Sequence, residues 1–219
     1  MKNITISNKI KRLTPNFCVA VLEANIKVDE NPNLKEYIGQ VSNDINKKYD
    51  ITDIINIPHI KDGRDAYKLY GKDPSRYRLA VESLYRRLSK GNPLYLINNI
   101  VDLGNLVSIL TMKSTAMLDG DKIYCDITIR LGKEDDHFIG IGRGNLTITN
   151  IPVYVDLQGA FGSTTSDTER TMITNNTKTL LMFIISFSGQ EQLISDIQLT
   201  KSLFDKYITY SNLEFKVIN

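Results

Sequence analysis

The feature that most constrains this chain is a change of hydrophobic period part-way along it. Between residues 33 and 110 apolar side chains recur at helical spacing, whereas after Asp119 they alternate every second residue. A pattern of one period cannot settle into the other structure. Helices gathered in one stretch and strands in another predict an α+β fold rather than alternating βαβ units. The expectation is a single compact domain, with a mixed or antiparallel sheet and packed helices. At 219 residues and 42 % apolar content, the chain is long enough to bury one sizeable core.

The elements follow from the periods. Residues 17–28 are rich in apolar and β-branched side chains and read as a strand. Residues 33–48 read as a helix on Leu34, Tyr37, Ile38, Val41 and Ile45, and 60–70 as another. Asp73-Pro74 offers a cap followed by a first-turn proline, so a third helix is expected from there to Gly91. A fourth carries Leu103, Leu106, Val107 and Leu110 on one stripe. Strands are expected at 122–131, 146–149, 152–157 and 179–187, and an amphipathic helix at 190–207. Residues 17–210 then form the domain, with 1–16 as an N-terminal extension and 211–219 as a C-terminal tail.

Several chemistries are set aside on residue content. The start, MKNITISNKIKRL, has charge but no apolar run, so no secretory signal is expected, and the apolar stretch 180–187 is far too short to cross a bilayer. A cytoplasmic protein without membrane contact is expected. Cys18 and Cys125 both lie among alternating apolar residues and read as reduced core thiols. His59 and His137 share no short spacing with another ligand, so neither a metal site nor a cofactor is expected. No GxSxG nucleophile motif occurs. The GIGRG run at 140–144 is followed by a strand-like segment rather than a helix, which makes it a glycine-rich hairpin and not a dinucleotide loop.

Charge is uneven. The formal net charge is +2, yet residues 61–90 hold nine basic and four acidic side chains. Such a run is either the solvated face of a helix or a footprint for nucleic acid. Two polar constellations are equally open. Asn98, Asp102 and Asn105 line a stripe beside the apolar one, and either bond to nearby loops or form a pocket wall. The segment 159–171 carries Gly162, Ser163, Thr164, Thr165, Ser166, Asp167 and Arg170. It either cradles a ribose, phosphate or amino-acid head group, or caps its own backbone.

A resemblance adds to this. RDAY (64–67) with GKDPS (71–75), ESLYRRL (82–88), NNIVDLGN (98–105), LDGDKI (118–123) and GAFG (159–162) occur in an ordered set. That set resembles the B3/B4 tRNA-editing module of the phenylalanyl-tRNA synthetase beta subunit, over roughly residues 17–187. The resemblance implies a free-standing module that binds the aminoacylated 3′ end of tRNA and hydrolyses misacylated tRNA in trans, without ligase activity. It implies a pocket between the 98–105 and 159–167 segments, with Asn98, Asp102, Asn105, Gly162, Ser163, Thr164, Thr165 and Asp167 binding substrate. Asn105 and Thr164 are the catalytic candidates, and Lys68, Lys72, Arg76, Arg86 and Arg87 the RNA contacts. Two positions depart from the family: its histidine falls at Ala116 and its acidic residue at about Phe183. The alternatives are an RNA-binding module without catalysis and a binder of an amino acid or nucleoside that has lost RNA.

Overall fold

The computed structural model describes residues 1–219. In chain order the elements are β1 (Ile4–Ile6), α1 (Asn8–Leu13), β2 (Cys18–Ile26), α2 (Pro32–Lys48), α3 (Pro58–Leu69), α4 (Ala80–Leu88) and α5 (Asn99–Thr111). There follow β3 (Thr115–Asp119), β4 (Ile127–Leu131), β5 (Ile139–Gly140), β6 (Gly144–Asn145), β7 (Pro152–Asp156) and β8 (Gly159–Ser163). The chain continues through β9 (Thr179–Ser186), α6 (Glu191–Tyr207) and β10 (Tyr210–Ile218). The architecture is α+β, as the change of period predicts. No helix is long and apolar enough to cross a membrane.

Two four-stranded sheets organise the molecule. One has the order β1-β4-β7-β8, with β1 parallel to β4 and the other pairs antiparallel; the second, β10-β2-β9-β3, is antiparallel throughout. The central strands β2 and β9 are buried nearly end to end, which is why their sequences read as continuous apolar runs. The sheets meet where Tyr154 of β7 packs edge-on against Phe183 of β9, ring centroids 4.8 Å apart. Burying each such side chain contributes about 1.5–3 kcal/mol. The helices begin on side-chain caps where the sequence supplies them. Asn31 accepts from the Leu34 amide at α2, and Asn98 accepts from the Ile100 and Val101 amides at α5.

Five expectations need correction. The 1–16 extension and 211–219 tail are integral to the sheets: β1 pairs with β4, β10 pairs with β2, and Ile4, Ile6 and Ile10 join the main core. The 1–16 segment is too short and mixed for its period to show, whereas residues 213–217 do alternate with period two, a strand signal that the sequence reading misses. Asp73-Pro74 opens a turn, not a helix. Asp73 Oδ1 accepts from the amide and hydroxyl of Ser75, and α4 starts only at Ala80. Residues 146–148 form no strand, and β4 starts only at Ile127, after a 3₁₀ turn and Cys125 at φ 64°. There Asp119 and Asp156 take the amides of Asp121 and Tyr124 in place of a ladder. Cys125 is exposed in that loop; Cys18 alone is a core thiol. The glycine run does form a hairpin, β5 and β6.

Candidate functional site

The 159–171 segment is half strand, half turn. β8 buries Phe161 completely, and behind it the chain folds back so that Gly162 bridges Asp167. Ser163 organises the turn: its Oγ accepts from the amides of Thr165 (3.2 Å) and Ser166 (3.0 Å) and donates to the Ser166 carbonyl (2.7 Å). Thr164 has no solvent exposure, and its hydroxyl shares a 2.5 Å hydrogen bond with Tyr67, which also meets Thr165 at 2.9 Å. Burial pushes the Tyr67 phenol up to about 12, against the lowering effect of those threonines. Most hydroxyls of the segment therefore hold the backbone.

Asp167 lacks the cation partner that several enclosed carboxylates have: Glu82 meets Arg64 and Arg86, Asp156 meets Arg170, and Asp136 meets Arg130, whereas buried Asp102, like Asp167, has no ion pair and leaves one oxygen without a hydrogen-bond partner. Asp167 has no cation, and its Oδ1 is shut away from solvent without a hydrogen-bond partner, although the residue as a whole is half-buried. Burial pushes its carboxyl up to about 8, only partly offset by the Ser163 backbone. A Cβ on Gly162 would sit 2.7 Å from that oxygen and 2.8 Å from the Tyr154 ring. Glycine is what lets this packing close.

Beside the turn opens a cleft of about 370 Å³. One wall is the segment between α3 and α4, carrying Arg76 and Arg78; the other is the glycine hairpin, carrying Arg143 and Asn145; Ser163 and Thr165 also line it, over a floor that includes Leu146, Ile148 and Ile151. No acidic side chain lines it. Arg76 lies 3.8 Å from Asp73, an exposed and weak pair, while Arg78 and Arg143 have no carboxylate within ion-pair distance. Lys72 lies over the Tyr77 ring at 3.8 Å, at the same edge.

The structure brings only part of the expected constellation together. The cleft lined by Ser163 and Thr165 takes no residue from α5. Asn98 caps its own helix, Asp102 accepts from the Ile97 amide at 2.8 Å, and Asn105 is half-buried further along α5. Burial raises the Asp102 carboxyl, against the Ile97 amide and the charge of Lys35. Of the five expected RNA contacts, Arg76 lies in the cleft and Lys72 at its edge. Lys68 pairs with Asp65, Arg86 with buried Glu82, and Arg87 donates to the Pro93 carbonyl while stacking on Tyr95. Sequence reading misses Arg78 and Arg143. Arg78 is visible in the basic run, but only the fold sets the hairpin and Arg143 opposite it.

Ala116 and Phe183 face each other as cross-strand partners in β3 and β9, both fully enclosed. Neither carries a titratable group, and Phe183 fills its space against Tyr154. Elsewhere, His59 Nδ1 lies 3.2 Å from Ser188 Oγ, but that hydroxyl is bonded to Asp62 at 2.5 Å, and Asp62 stands 4.0 Å from the same ring nitrogen. A nucleophile triad needs the carboxylate on the far nitrogen of the imidazole, so this cluster does not supply one.

Comparison with known proteins accords with the fold. The B3/4 domain family model matches residues 62–199, from α3 into α6. No curated protein matches the chain. Among solved structures, the crystal structure of an N-terminal fragment of the phenylalanyl-tRNA synthetase beta-subunit from Pyrococcus horikoshii is similar in fold. It has a TM-score of 0.51 and 11 % identity, over 99 % of this chain and 50 % of that one. The chain thus spans half the length of that fragment. The family match takes in more than half of the chain, including the arginine cleft, the 163–167 turn and the β3–β9 pair, and the chain belongs to the B3/4 domain family.

Proposed function

We propose that this chain is a cytoplasmic tRNA-binding module whose cleft between the 73–79 segment and the glycine hairpin takes the phosphodiester backbone of the acceptor end. The observation that carries this reading is the lining of the cleft: Arg76, Arg78 and Arg143, with amide and hydroxyl donors and no carboxylate. Arginine forks match phosphate oxygens, and two of the three have no competing partner within the chain. Binding through such pairs weakens with salt, because condensed counterions are released. Alanine at Arg78 or Arg143 is expected to weaken tRNA binding and to reduce the salt slope by about one for each phosphate left unneutralised. Alanine at Arg87 leaves both unchanged. Anisotropy titrations across salt concentrations read this, and an unaltered slope in the Arg78→Ala, Arg143→Ala double variant sinks the assignment.

Hydrolysis of a misacylated end is the second reading, favoured by Ser163 and Thr165, which line the same cleft. An aminoacyl ester is already activated, so orienting it against water supplies much of the acceleration, and donors at the turn polarise its carbonyl. Thr164, enclosed and bonded to Tyr67, acts in this reading by holding the turn rather than as a reacting group. The test is a panel of correctly charged and mischarged tRNAs. Clearance of one mischarged species, lost in Thr165→Val and kept in Arg87→Ala, is the expected result for a deacylase. A complete panel left intact, with salt-sensitive binding retained, makes the module a binder alone.

A further inference from the structure

We propose that the outer edge of β10 pairs antiparallel with β10 of a second copy, about a two-fold axis at Phe215. β10 is the end strand of its sheet and pairs only with β2, so its other row of backbone groups is free. Edge strands are commonly blunted by short length, proline or clustered charge. β10 has nine residues and no proline, and its one irregularity is confined to the start, where Asn212 takes φ 54° and the register shifts between Ser211 and Glu214. From there the ladder to β2 is regular through Ile218.

The side chains of this segment complement themselves. Leu213, Phe215 and Val217 share one face, the first and last half-buried against the core and Phe215 38 % exposed. Glu214 and Lys216 share the other. Antiparallel pairing centred on Phe215 sets Glu214 of each copy opposite Lys216 of the other, Leu213 opposite Val217, and Phe215 against its twin. Centring on Glu214 or on Lys216 would oppose like charges, and the intermediate registers leave both charges unpaired. Electrostatics therefore selects one register, with two opposite-charge cross-strand pairs and a continuous apolar stripe. Within one copy these two side chains do not meet each other. Glu214 lies 3.7 Å from the Met1 amino group and Lys216 donates to the Lys2 carbonyl. The pairing would join two four-stranded sheets into one of eight strands, and the arginine clefts, beside the other sheet, play no part in it.

The test is the mass of the full chain by sedimentation equilibrium over a wide concentration range. The parent is expected to dimerise. Glu214→Lys and Lys216→Glu each place like charges opposite one another twice, and each is expected to weaken the dimer by at least about tenfold. The double variant Glu214→Lys, Lys216→Glu restores the complement with signs exchanged and should recover the dimer. Circular dichroism confirms that each variant is folded. A parent that stays monomeric throughout overturns the proposal. So does a dimer indifferent to the single exchanges, or a folded double variant that fails to recover it.

Discussion

At pH 8 the variant Asp167→Asn is expected to be more stable than its parent by up to about 5 kcal/mol, while near pH 3 the two should coincide. The sign follows from proton counting. Burial without a cation pushes the Asp167 carboxyl up to about 8 in the folded chain, against an ordinary value of 3.8. Well below pH 3.8 both folded and unfolded chains hold this proton, and the group contributes no pH dependence. As pH rises from 4 to 8 the unfolded chain releases the proton and the folded chain keeps it, so stability falls across that window and levels off above it. Local opening of the 163–167 turn, which readmits water to the carboxyl, limits the loss. Other carboxylates work in the opposite sense. Asp136 is held low first by its hydrogen bond to Arg130; Asp156 is held low by Arg170 despite its burial, and their contributions fade as pH falls. Parent and variant share those groups, so the difference between their urea midpoints isolates Asp167. A difference that stays flat from pH 4 to pH 8.5 would show that the carboxyl ionises normally.

How legible such a site is depends on whether its chemistry is local. The buried runs of β2 and β9 and the glycine hairpin follow from neighbouring residues, and the sequence carries each of them, whereas Asn98, which the sequence leaves open as a loop contact or a pocket wall, caps α5. The orphaned Oδ1 of Asp167 does not. It arises because Gly162, Tyr154 and Asp167 converge from two strands and a turn, and no spacing in the sequence encodes that convergence. The arginine cleft is a mixed case. Arg76 and Arg78 lie in a basic run that can be counted, but Arg143 comes from a hairpin far along the chain.

The same run shows what counting charge conflates. Lys68, Arg86 and Arg87 add to the local excess as much as Arg76 and Arg78 do, yet each is engaged by an acid, a carbonyl or an aromatic ring of its own chain. Partner geometry, and not sign, separates an available cation from a structural one. The pair of departures at Ala116 and Phe183 is similar. In sequence they are two unrelated losses, but in the fold they are opposite residues of one ladder, and a bulky ring fills the space between sheets where the family resemblance implies a polar pair.

Removing Glu82 is the second large effect, expected to cost about 3–5 kcal/mol as Glu82→Ala. Its carboxylate has no exposure, and it accepts from Arg64 Nη1 at 2.9 Å through both oxygens and from Arg86 Nε at 2.8 Å. Arg64 Nη1 also donates to the Pro74 carbonyl, so one carboxylate ties α3, α4 and the turn that leads to Arg76. Without it two guanidinium groups remain half-buried and unpaired, which is the costly half of breaking a buried pair. For a chain of this size the loss corresponds to a fall in Tm of roughly 6–20 °C. Glu82→Gln keeps an acceptor and should lose less, and Arg86→Met in the Glu82→Gln background should recover part of it, since one of the two unpaired cations is gone. This network also changes how an RNA-binding test must be built. Charge reversal at Arg86 would set an acid against buried Glu82 and unfold the wall that carries Arg76 and Arg78, so weakened tRNA binding in that variant would report stability. Arg86→Met, folded and with unchanged affinity and salt slope, is the outcome that assigns Arg86 to the scaffold; a reduced slope in a fully folded Arg86→Met would assign it to the phosphates instead.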